Sequence, residues 1–252
     1  MISRRQFTRG CAGLLAAAVC HPRHLSAREN FADEIDHSLA SAMRFLADRQ
    51  AADGGWRSTI YGPLKDGCSL TALIGSALVA CQPDESAEPL LHRASEYLTD
   101  AVTSNMTYPV YSAAGATIVL QSMAGQRASA AAAAWREYLR RLQHTEVAGW
   151  SPADDGYGGW SYSHEAPRPI DGKSPSPLAV ANLSATAFAL EALAAGDCKA
   201  ADPAHEKALV FLERCQNFSG EPRISDREFN DGGFFFLLEE PQSPRCARHL
   251  CG

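Results

Sequence analysis

The strongest chemical candidates in the sequence are two metal-binding side chains, Asp66 and Cys68, set two residues apart in "LKDGCSL". A carboxylate and a thiolate both ligate zinc, but zinc is held by three or four such groups. His92 and His205 belong to helical stretches with a wet face and do not complete the set. The competing expectation is structural: Asp66 caps the helix that follows, and Cys68 packs as a small hydrophobe. A second group is Asp154 and Asp155 of "PADD", with Tyr157 and Tyr162 beyond them. Carboxylates and phenols are side chains that move protons, yet their spacing here demands no such site. The stretch reads as a solvated acidic loop. A serine-hydrolase elbow, a zinc-protease histidine pair and a phosphate-binding glycine loop are all missing from the sequence. No cofactor is expected, with zinc conceivable only through Asp66 and Cys68.

These residues lie within a repeat. "FLADRQ" (Phe45 to Gln50), "YLRRLQ" (Tyr138 to Gln143) and "FLERCQ" (Phe211 to Gln216) share an aromatic-Leu-x-x-x-Gln frame. Each leads to a Gly-Gly-aromatic turn: Asp53, Gly54, Gly55 and Trp56; then Gly158, Gly159 and Trp160; then Asp231, Gly232, Gly233 and Phe234. "YLTDAV" at Tyr97 is a degenerate frame without the Gln or the turn. Two of the three Gln-to-turn connections carry insertions, as loops at one end of a repeat protein do. Glycine permits a turn at positive φ, the aromatic ring buries a large area, and the Gln suits backbone groups left free at a helix end. The motif is therefore expected to fasten one helical hairpin to the next, with Trp56, Trp160 and Phe234 packed alike.

Between the frames lie "CSLTALIGSALVAC" (Cys68 to Cys81), "VYSAAGATIVLQSM" (Val110 to Met123) and "LAVANLSATAFALEAL" (Leu178 to Leu193). They are apolar or small nearly all round, the mark of a helix enclosed on every side. The first frame helix instead alternates Ile35, Leu39, Met43 and Leu46 with Glu34, His37, Arg44 and Asp48, giving one apolar stripe and one wet face. Alternating wet and enclosed helices predict an all-α protein of two layers.

From about Asp33 to Phe236 this pattern resembles the prenyltransferase and squalene–hopene cyclase repeat superfamily. "YGGWSYS", "NLSATAFALEAL", "ALVFLERCQN" and "NDGGFFF" look like its exported, planctomycete-type bacterial subgroup. The resemblance implies an α/α toroid of helical hairpins across residues 28–236. Cyclases of that superfamily protonate an alkene with an Asp-x-Asp-Asp motif, of which "PADD" has Pro152 in the first place. Its protein prenyltransferases hold zinc with an Asp and a Cys two apart, as Asp66 and Cys68 are, plus a later His that has no counterpart here. The resemblance thus implies a binding or scaffolding module with an apolar central groove for an isoprenoid or another apolar small molecule. The alternative is a terpene cyclase or prenyl-transfer enzyme.

A net charge of −6 over 252 residues gives no basic footprint for nucleic acid, and no apolar run is long enough to span a bilayer. Residues 1–27 read as an export signal of the twin-arginine type: Arg4-Arg5 precede the short apolar run from Cys11 to Cys20, with cleavage expected after Ala18 or Ala27. Cys68 and Cys81 lie too far apart along one helix to bond, and no obligatory disulfide is expected. At the other end, residues 237–252 hold Pro241 and Pro244 and predict an irregular tail. Four frames and three enclosed helices make about seven main helices, an incomplete ring. An open arc leaves its terminal hairpins uncovered, so self-association is expected.

Overall fold

The computed structural model describes residues 22–81, 87–103, 106–196, 202–217 and 232–238, with side chains from residue 34 onward. The twin-arginine pair and the tail from Glu239 lie outside the described residues, as does Asp231. The fold is all-α: among the described residues there are seven α-helices and no strand, only isolated bridges such as Gln216 with Phe234 and Asn182 with Leu237. Two compact units divide at Arg49.

The first unit contains α1 (Pro22–Arg49), so the expected cleavage point after Ala27 falls within a helix. Its stripe is only partly covered: Met43 and Leu46 are half-buried, whereas Ile35 and Leu39 are exposed.

The second unit contains α2 (Cys68–Ala80), α3 (Glu88–Asp100), α4 (Pro109–Ser122), α5 (Gln126–Leu142), α6 (Leu183–Ala194) and α7 (Pro203–Cys215). Helix α4 packs between α2 and α6 and lies on α5, while α3, α5 and α7 lie against α2, α4 and α6. The amphipathic helices therefore back an apolar layer, as expected from the sequence. Small residues allow the close approach within that layer. A Cβ on Gly115 would stand 2.6 Å from the Ala72 carbonyl oxygen, and one on Gly75 would stand 2.6 Å from Val119. Ser112 Oγ also donates to Ser69 Oγ at 2.9 Å, and Tyr111 Oη donates to Ser184 Oγ at 3.0 Å. These contacts join residues near the N-termini of α2, α4 and α6, so the three helices start at the same end.

Only one of the three apolar helices is enclosed. Helix α4 exposes little beyond its C-terminal turn, but α2 leaves Leu73, Ala77 and Ala80 exposed and α6 leaves Ala187 and Ala194 exposed. Each set falls on one face at three-, four- or seven-residue spacing. The reason is position: α4 has an apolar neighbour on both flanks, whereas α2 and α6 each pack on it from one side.

The last apolar helix also starts later than its composition suggests. Asn182, not Leu178, opens it: the Asn182 side chain accepts from the Ala185 N–H at 2.9 Å, satisfying a free donor of the first turn. Pro177–Ala179 forms a separate 3₁₀ turn.

Candidate functional site

The three Gly-Gly turns share one backbone geometry. The residue after each Gln donates its N–H to the second glycine's carbonyl: Ala51 to Gly55 at 2.9 Å, His144 to Gly159 at 3.0 Å, and Asn217 to Gly233 at 2.7 Å. In return it accepts from the first glycine, Gly54, Gly158 or Gly232, at 2.9, 2.7 and 3.0 Å. All three of those glycines have φ between 76° and 86°, a region side chains rarely adopt.

The Gln side chain then fastens the turn to another helix. Gln50 Nε2 donates to Gly54 and to the Leu90 carbonyl on α3, both at 2.9 Å. Gln143 Nε2 does the same with Gly158 at 2.8 Å and Ala204 on α7 at 2.9 Å. The glycines let the turn press on that helix, since a Cβ would stand 2.2 Å from the Arg93 oxygen at Gly54 and 1.9 Å from the Lys207 oxygen at Gly158. Gly55 meets the Tyr97 ring and Gly159 the Phe211 ring. Tyr97 thus fills the place of Phe211, although its own frame is degenerate.

Trp56 and Trp160 are 2% and 0% exposed, as expected. Each donates its backbone N–H to a threonine of the next apolar helix, Thr71 at 2.8 Å and Thr186 at 3.2 Å. Phe234 occupies the same backbone slot but is 37% exposed, and Phe235 is buried instead. This corrects the expected equivalence: the ring is covered only where another hairpin follows, and no described helix follows Phe234. In the first two turns Gln50, Gln143, Trp56 and Trp160 are thus engaged with neighbouring helices.

The acidic candidates are engaged too. The Asp66 carboxylate accepts from Ser69 N and Oγ at 3.1 and 2.8 Å and from Thr107 N at 2.8 Å. It holds the first turn of α2 to the start of α4. Cys68 is 1% exposed, and among the described residues no group of three or more His, Cys, Asp or Glu is placed to hold a metal ion. Asp154 closes a turn by accepting from Ser151 N at 2.7 Å, and Arg214 donates to the carbonyls of Pro152 and Asp154. Tyr157 donates to Glu146 at 2.6 Å, and Lys207 pairs with the other Glu146 oxygen. Lys207 and then Tyr157 hold the Glu146 carboxyl down at about 2. Burial, followed by Glu146, pushes the Tyr157 phenol up to about 12. Arg214 and Lys207 thus tie this loop to α7. A recess of about 400 Å³ beside the first turn is lined by Asp53, Glu96, Tyr97, Asp100 and Ala101. Two of its carboxylates are already paired, Asp53 with Arg57 and Asp100 with Arg127.

One group remains partly open. Tyr108, Tyr111, Tyr162 and Phe188 are all half-buried and meet at the starting end of α4 and α6. Tyr111 lies nearly parallel to Tyr162, with centroids 5.9 Å apart and planes at 19°. Tyr108 stands edge-on to Tyr111 at 6.2 Å and 88°, and Phe188 meets Tyr111 at 4.9 Å and 63°. Burial raises the Tyr111 phenol, which stays neutral and donates to Ser184. Half-buried aromatic rings with a few placed hydroxyls are the usual lining of a small-molecule site. Of the four, sequence reasoning singled out only Tyr162. The signal available was the aromatic pair Tyr108 and Tyr111 at the entrance of an otherwise small-residue helix.

His144 supplies a pH-dependent element. It is 0% exposed, stacked on Trp150 at 4.6 Å and 13°, with Nε2 3.3 Å from Ser161 Oγ. Burial holds its pKa down at about 3. The unfolded chain binds a proton here near the ordinary value of about 6.5, whereas the folded chain does not. Stability is therefore full above that value and falls as pH drops toward 3, by up to about 1.4 kcal/mol per unit. The depressed carboxylates Asp53, Glu146 and Asp202 act in the same direction, but only below about pH 4.5. Urea unfolding between pH 6.5 and 4.5 should show the slope, and His144→Gln should flatten it.

No family model, curated protein or solved structure matches this chain.

Proposed function

We propose that the chain is an exported, non-catalytic binding module built as an open arc of an α/α toroid, with an isoprenoid or another apolar small molecule as its ligand. The observation that carries the reading is the half-buried cluster of Tyr108, Tyr111, Tyr162 and Phe188 at the starting end of the apolar helices. It continues along α4 and α6 as a lining: Ile118 lies two turns beyond Tyr111, and Leu190 lies two turns beyond Leu183, all half-buried. Apolar helices backed by amphipathic ones support the toroid, and the exposed stripes of α2 and α6 support an arc that does not close. The Gln-Gly-Gly-aromatic turns belong to its framework. An open groove suits a binder better than an enzyme that must exclude water from a reactive intermediate. Export rests on the arginine pair Arg4-Arg5 ahead of its short apolar run.

Titration with a fluorescent isoprenoid alcohol tests this reading. The unmodified chain should bind it saturably, and Tyr111→Ala should weaken binding about tenfold or more, the equivalent of about 1.4 kcal/mol. Absence of saturable binding, or equal affinity in the variant, would remove the cluster as the ligand site.

A further inference from the structure

Helices α2 and α6 begin in the same register. Ser69 and Ser184 are their second residues, and Thr71 and Thr186 their fourth. Both threonines accept the backbone N–H of the tryptophan in the preceding turn, Trp56 or Trp160. Both serines accept a hydroxyl from α4: Ser112 donates to Ser69 at 2.9 Å, and its neighbour Tyr111 donates to Ser184 at 3.0 Å. There the two chains of hydroxyls part. Ser69 in turn donates to the Asp66 carboxylate at 2.8 Å. Three residues before Ser184 stands Ala181, whose side chain accepts nothing.

Ser184 does not turn back on its own helix either. Ser95 and Ser122 donate to carbonyls three residues earlier, and Thr117 to one four residues earlier. The residue four before Ser184 is Val180, which lies ahead of the helix in extended backbone. The Ser184 hydroxyl thus accepts from Tyr111 and has no acceptor of its own among the described residues. It is half-buried, one turn from Phe188 and at the edge of the Tyr111–Tyr162 stack. A hydroxyl that accepts one hydrogen bond is polarised to donate the next.

An oxygen taking this proton plays the part in α6 that Asp66 plays in α2. Around it Tyr108, Tyr162, Phe188, Ile118 and Leu190 supply rings, phenols and hydrocarbon. An ionised group there would lose water without gaining a counter-charge, which is costly. A carbonyl accepts without bringing a donor that needs a partner in turn.

We infer that the ligand of the aromatic cluster ends in a carbonyl oxygen, and that Ser184 reads it by donating its hydroxyl proton. The inference rests on the cluster being a ligand site and adds the head group: a prenyl ketone, its tail toward Ile118 and Leu190.

Displacement of the fluorescent isoprenoid alcohol tests it, with farnesylacetone as the ketone and the same skeleton bearing CH2 for C=O as the hydrocarbon control. The comparison is between Tyr111→Phe and the double variant Tyr111→Phe with Ser184→Ala, so that no freed phenol takes over the bond. The double variant should bind the ketone about fivefold or more weakly, the worth of one neutral hydrogen bond, and the hydrocarbon equally well. Equal ketone affinity in the two variants, or an equal loss for ketone and hydrocarbon, overturns the inference while leaving the cluster as a ligand site. Tighter binding of farnesoic acid than of the ketone overturns it too, by assigning the head to an anion. Failure of the fluorescent alcohol to bind the unmodified chain removes the cluster as a ligand site, and this inference with it.

Discussion

Gly158→Ala should prevent stable folding, or cost at least about 4 kcal/mol, a loss reserved for severe structural conflicts. Two independent costs act at this position. Its φ of 84° is unfavourable for any residue with a Cβ. That Cβ would also stand 1.9 Å from the Lys207 carbonyl oxygen, a backbone atom of α7 that cannot move aside without shifting the helix. Gly62→Ala is the control, since nothing lies within 4 Å of its Cβ position and its φ is not positive. Urea unfolding monitored by helical circular dichroism should show the control near the unmodified midpoint and Gly158→Ala far below it. Similar midpoints would mean that the turn is not pressed on α7.

Trp160→Ala should cost about 3–5 kcal/mol, the usual price of deleting a buried aromatic. The indole is 0% exposed and donates its Nε1–H to the Leu139 carbonyl at 2.7 Å. Its backbone N–H meets Thr186, and its carbonyl accepts from Asn182, so the residue links α5, the turn and the start of α6. Truncation removes the ring but leaves those backbone bonds in place. The variant should therefore unfold earlier through a single transition. A loss near zero would mean that the ring does not hold the hairpins together.

The sequence revealed the turns because they repeat. Three copies of Gln followed by Gly-Gly and an aromatic cannot all be loop accidents, and positive φ explains the first glycine in each, while a ring pressed on the backbone explains the second in the first two turns. What it concealed was the partner of each part. Thr71 lies 15 residues from Trp56, whereas Thr186 lies 26 residues from Trp160, because the insertion differs in length. No fixed spacing leads to either threonine. The tyrosine cluster is hidden for a similar reason, since Tyr111 meets Ser184 across 73 residues of chain. Phe234 shows a different limit: a motif specifies a backbone slot, but burial of its ring depends on the neighbouring hairpin. Helices α2 and α6 repeat that lesson, as composition alone marks them for enclosure while their place at the flanks of α4 leaves one face of each open. The apolar run from Leu178 to Ala181 misled by composition too. It looks helical, but Asn182 offers the helix a better start.

The central claim separates framework from site: the glycine turns hold the hairpins, and the tyrosine cluster takes the ligand. Photolabelling with a benzophenone-bearing isoprenoid, followed by residue-level mass spectrometry, tests that division most directly. The account predicts label on Tyr111, Tyr162, Phe188 or Ile118, competed away by unlabelled isoprenoid alcohol. Competable label concentrated on Gln50 to Trp56 or Gln143 to Trp160, with the tyrosines unmarked, would contradict it.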